Sequence, residues 1–191
     1  MLTAINLFKA VSNWNVQRHE KEFDWHFCDA LVRSITDMLE AESVEECVEH
    51  LGHAGFYSIS SLWSMGITPE RFGDLTMRVS PAVRTMMTRL RCPARHILSG
   101  QCSVLLTREV TVTQLPDMLV VNFVLVSYTL HKLGFNDSQI MRIFFIISGS
   151  NNTLPIKAND DAVYNPPNES ILNIVKELDK KQTGEEYNEK T

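Results

Sequence analysis

The chain has 191 residues, 44% of them hydrophobic and 21% charged, with a formal net charge of −5. That length supplies one compact core and needs no second domain, and the acidic balance excludes bulk attraction to nucleic acid or anionic lipid, leaving only local, salt-sensitive binding. Four cysteines without regular spacing exclude a disulfide framework, so an intracellular, reducing compartment, cytoplasmic or nuclear, is expected.

In chain order, Thr3 is placed to cap a first helix along which Ile5, Phe8, Val11 and Trp14 recur at helical spacing. This reads as an amphipathic helix rather than a leader peptide, and secretion is not expected. A second helix is predicted over about 22–40, with Phe23, Phe27, Leu31, Ile35 and Met38 or Leu39 on its inner face and carboxylates outside. Ser43 and Glu46 have capping-box spacing, and the helix they start is expected to stop near Gly52. A short helix over 58–65 should end at Gly66. Thr68-Pro69-Glu70 opens the next, and Ser80-Pro81 repeats the device for another, whose buried stripe is Val83, Met86, Met87 and Leu90.

The period then changes. Val104, Leu106, Val110 and Val112, with Thr111 and Thr113 between valines, predict a small β strand or hairpin near 103–113. Leu115-Pro116-Asp117 begins a nearly all-apolar helix over 117–133, and Asn136 or Asp137 caps a second over 138–147; these two are expected to form the core hairpin. The stretch Met118 to Leu130 is shorter than the roughly 20 residues a membrane span needs, so no span is expected. The whole reads as a mainly α protein: a helical globular domain over 1–149, an extended linker over 150–167, an amphipathic C-terminal helix over 168–180 capped by Asn168, and a disordered tail over 181–191.

Charge is segregated along the chain. Residues 20–49 hold ten carboxylates against Lys21 and Arg33, whereas Arg71, Arg78, Arg84, Arg89, Arg91, Arg95 and Arg108 fall in a stretch with no lysine and one acid, Asp74. Guanidinium groups bind carboxylate and phosphate through planar paired hydrogen bonds, so an arginine-only cluster points to recognition of an anion. That anion is nucleic acid, an acidic protein partner, or the chain's own acidic segment. Arg84, Arg91 and Arg95 share one face if their helix continues through Pro93. Trp63 and Phe72 are the stacking candidates beside them, with core filling as the alternative.

A second constellation joins Cys47, His50 and His53 to Cys92, His96 and Cys102, six candidate ligands for a four-coordinate zinc; buried thiols and surface histidines account for the same residues without metal. No nucleophile elbow, phosphate-cradling glycine loop or metalloprotease motif is present, and a non-enzymatic role is expected. On the C-terminal helix, Ile171, Ile174, Val175 and Leu178 form an apolar face that must dock; its own core is one place for it, and the expectation carried forward is that these four residues hold a second copy and make a homo-oligomer.

Two partial resemblances carry expectations of their own. Val110 to Asp117, a following helix, Lys132-Leu133-Gly134-Phe135 and Ser138 to Arg142 are similar in order to a ribbon-helix-helix DNA-binding unit, which implies a dimer reading the major groove through strand residues such as Thr111 and Thr113. Ser43 to Val48, Leu62, Gly66-Ile67-Thr68 and Leu75-Thr76 resemble the opening of a sterile alpha motif, which implies a helical interaction module. The reading that emerges is a self-associating binding protein with an arginine-rich face for a polyanion such as RNA or DNA. An adaptor or viral or phage accessory protein binding an acidic protein, and a zinc-stabilised regulator, are the alternatives.

Overall fold

The computed structural model describes residues 2–16, 19, 22, 23, 25–89, 94–111, 113–150 and 170–183. Among the described residues there are eight helices: α1 (Leu2–Val16), α2 (His26–Glu40), α3 (Val44–Ser64), α4 (Pro69–Arg89), α5 (Ala94–Thr107), α6 (Leu115–Lys132), α7 (Asp137–Ser150) and α8 (Ile171–Thr183). None is long and apolar enough to cross a membrane.

The hub is α3, which packs against α1, α2, α6, α7 and α8. Its start is the predicted box: the Ser43 hydroxyl accepts from the Glu46 N–H at 3.1 Å, while the Glu46 carboxylate accepts from the Glu42 N–H at 2.9 Å. Gly52 does not stop it. A Cβ there would stand 3.0 Å from Ile143 Cγ2, and one on Gly55 would stand 2.6 Å from Phe144 Cζ. Both glycines are thus interior positions where α7 approaches the α3 backbone, and the predicted break at Gly52 and separate helix from 58 merge into one element. The stop comes at Gly66, with φ +80°, where the Ile67 N–H donates to the Leu62 carbonyl at 3.1 Å. Gly134, with φ +106°, ends α6 in the same way, the Phe135 N–H donating to Leu130 at 3.2 Å.

The C-terminal half of α3 is buried all round, yet carries Ser58, Ser60, Ser61 and Ser64. Three hydroxyls are satisfied locally, Ser58 donating to the Ala54 carbonyl, Ser61 to that of Tyr57 and Ser64 to that of Ser61, each at 2.8 Å, whereas Ser60 accepts from Asn15 Nδ2 of α1 at 3.1 Å. Small side chains that return their hydroxyls to their own backbone keep α3 thin enough for close packing on several sides. Around it, a run of rings ties four helices together, Phe8 to Phe72 at 4.9 Å, Phe72 to Phe123 at 5.1 Å and Phe123 to Phe144 at 5.8 Å between centroids. The apolar helices α6 and α7 lie in this core as expected, although α3 rather than their hairpin is its centre.

Two local predictions are corrected. Ser80-Pro81 opens no new helix; α4 runs through Pro81. The proline lies on the exposed side with Met77, whose carbonyl loses its helical donor where water can replace it, and Ser80 donates to the Thr76 carbonyl at 2.6 Å. The strand or hairpin near 103–113 is absent from the described residues. Residues 94–107 form α5 instead, because Leu98, Cys102 and Leu105, spaced four and three apart, bury one face against α2 and α6. Burial of that stripe outweighs the β propensity of the neighbouring valines, and Val104 and Leu106 are left exposed. Arg108, with φ 55°, ends the helix, and a turn leads to α6 in which the Leu115 N–H donates to the Thr111 carbonyl at 3.0 Å. The strand on which a ribbon-helix-helix reading depends is therefore missing; Val112 lies outside the described residues.

Candidate anion-binding surface

The structure divides the seven arginines. Arg78, on α4, donates to the Asp117 carboxylate at the start of α6. Arg108 lies 5.2 Å from the Trp25 ring centroid, with a guanidinium nitrogen 3.8 Å from the Asp29 carboxylate, so the end of α5 is stapled to the start of α2. These two are occupied by groups of the same chain. Arg71 and Arg84 on α4, and Arg95 on α5, are exposed and form no ion pair among the described residues. Arg91, the Arg89 side chain and Pro93 lie outside the described residues. Arg84 lies on α4 and Arg95 on α5, and residues 90–93, through which the expected stripe on one continuous helix would have to run, are outside the described residues.

Among the acidic residues, Asp29 reaches an arginine of the cluster, whereas Glu40, Glu42, Glu46 and Glu49 are exposed around the α2–α3 corner. Internal neutralisation by residues 20–49 is accordingly partial. Trp63 and Phe72 are buried in the core, which removes both as stacking platforms.

Cys47, His50 and His53 lie on α3, His96 and Cys102 on α5, and Cys92 outside the described residues. The described residues bring together no group of three or more histidines, cysteines and carboxylates placed to hold a metal. Burial pushes the Cys102 thiol up to about 11 and raises Cys47 as well. Cys28 is raised chiefly by burial, although its thiol is 3.6 Å from the Ser61 hydroxyl, a contact that opposes the shift. Protonated thiols are poor ligands and poor nucleophiles. His53 is held below its ordinary value by burial, with Glu49 3.9 Å away acting in the opposite direction.

Ile171, Ile174, Val175 and Leu178 are all buried, on α3 and α7 of their own chain. A clamp that the sequence did not reveal holds α8 there: Arg142 Nη1 and Nη2 donate to the two Glu177 oxygens at 2.8 and 2.7 Å. The isolated Arg142 in the apolar α7 was its one signal. Helix α8 continues to Thr183, past the 168–180 range expected for it, while residues 151–169, which hold most of the expected linker and the Asn168 cap, and 184–191 of the expected tail are outside the described residues. Comparison with known protein families, characterised proteins and solved structures finds no match to this chain.

Proposed function

We propose that this is a non-enzymatic, self-associating binding protein whose α4 grips a polyanion such as RNA or DNA. The observation that carries the reading is the state of Arg71 and Arg84, exposed and without an ion pair among the described residues, on a helix with four arginines against Glu70 and Asp74. Thirteen residues separate them, about 20 Å along the helix axis. One phosphate or carboxylate cannot meet both, and since the same step turns the second about 140° round the axis, the polyanion that meets both is one that wraps across the helix. Guanidiniums displayed this way bind backbone rather than bases, so the affinity is modest, insensitive to base sequence and steeply salt-dependent.

The test is electrophoretic retardation of a single-stranded RNA and of a DNA duplex at low salt. Retardation is expected to fade with added salt and to be lost in the double variant Arg71→Glu, Arg84→Glu with its helical signal intact. A shift that survives this charge reversal removes α4 as the binding surface, and no shift by the parent chain rejects the nucleic-acid reading.

A further inference from the structure

Helix α8 sits in a site that α3 and α7 build without it. Gln139, only 3% exposed, is fixed by a reciprocal pair at the start of α7: its N–H donates to Asn136 Oδ1 at 3.0 Å, and its side-chain oxygen accepts from the Asn136 N–H at 3.1 Å. With that oxygen taken, the amide nitrogen is the end turned to α8, and it lies 3.4 Å from Glu177 Oε2, the oxygen that Arg142 Nη1 also reaches. Gln139 and Arg142 stand three residues apart on one face of α7. Together they make a carboxylate receptor beside the apolar groove that α3 and α7 offer to Ile171, Ile174, Val175 and Leu178. Arg142 is the one charged residue of α7 after Asp137, and its side chain is 18% exposed with α8 in place.

Nothing in this recognition is particular to the α8 of the same chain. Its 13 residues are too few to hold a helix in water, so α8 folds as it docks and is unfolded whenever it leaves. Residues 151–170 join it to α7, and a chain of about twenty residues reaches up to about 70 Å, against a radius of gyration of about 15 Å for a domain of this length. The arm of a second copy carries the same four apolar residues and the same carboxylate, and the groove takes either. Only the effective concentration that the tether confers, on the order of millimolar, favours its own. We infer that the α3–α7 groove also takes α8 from a second copy, so that two chains exchange C-terminal helices in a closed two-fold dimer, each Gln139–Arg142 receptor holding Glu177 of the partner subunit. The inference rests on the self-association in the proposed reading and names its surface; Arg71 and Arg84 take no part, so polyanion binding is tested separately.

Sedimentation of the full chain should give 21.8 kDa when dilute and a mass rising toward twice that as the concentration nears about 1 mM. A sharper test mixes two full-length variants, Arg142→Glu and Glu177→Arg. Alone, each sets like charges together in its own groove and in any exchange with itself. Mixed, each arm meets its opposite charge in the groove of the other chain, and both clamps are restored in trans. A like-charged clamp weakens docking about tenfold, so the mixed dimer should form at a concentration about a hundredfold below that of the parent. The chain carrying both substitutions regains its pair in cis and should behave as the parent. If it does, a mixture no more dimeric than its two components overturns the exchange. If it does not, Ile174→Asp decides, because it unseats the arm from either groove: loss of the parent's dimer supports exchange, and a dimer that survives places self-association on another surface and rejects exchange. A parent that is monomeric at every concentration up to about 1 mM rejects exchange and self-association together.

Discussion

Asn122 occupies the most buried stripe of α6, among Leu115, Leu119, Val126 and Leu130, and neither end of its amide has a partner among the described residues. A buried amide left unpaired costs about 1–3 kcal/mol, so Asn122→Leu, similar in volume, is expected to raise the unfolding free energy by about that much in a denaturant titration. A fall in stability would show that the amide is satisfied and that the residue fixes the register of α6. His53 makes a second statement at this scale. Burial lowers its proton affinity in the fold, so on acidification the unfolded chain, whose histidine has an ordinary value of about 6.5, takes up the proton first. The stability held by neutral His53 is therefore complete above about pH 6.5 and lost as pH falls from there toward its depressed native value. His53→Gln should flatten that part of a stability-against-pH curve, and an unchanged slope would assign the acid sensitivity to other groups.

Between elements, the contact of α3 with α7 is set by what is missing from two positions. Helix propensity alone says that Gly55→Ala should stabilise by about 1 kcal/mol. The structure says the reverse, because the new methyl meets the Phe144 ring, and overpacking of that kind costs about 1–3 kcal/mol. The sign of the change in chemical denaturation decides between them. Residue order alone does not reveal this contact: Gly52 looks like a helix stop, and its role is visible only when Ile143 and Ile147 are set against it. Pro81 has the look of a helix start for a related reason, since a proline breaks a helix only where the freed carbonyl finds no substitute for its donor. Val104 and Leu106 on α5, with the alternating valines and threonines of 110–113 beyond its end, have the composition of a strand, while Leu98, Cys102 and Leu105 carry the helical period that burial selects.

For the molecule as a whole, the opposition between an acidic and an arginine-rich segment survives folding only in part. Asp29 reaches across from α2 to Arg108, but Arg78 finds its partner in Asp117, outside the acidic segment, and Arg71, Arg84 and Arg95 find none among the described residues. In the proposed reading the guanidiniums left over are the ones that meet phosphate, and the salt dependence of any RNA retardation would count how many phosphates they reach. Ends marked by Ser43, Gly66, Pro69 and Gly134, the amphipathic faces of α2 and α8 and the segregation of charge were legible from residue order alone, because capping, periodicity and local charge are properties of neighbours in the chain. Which helix lies at the centre, which glycines are contacts, and which arginines are already occupied were decided by tertiary structure, because burial and ion pairing join residues that are distant in sequence and no local pattern records the partner.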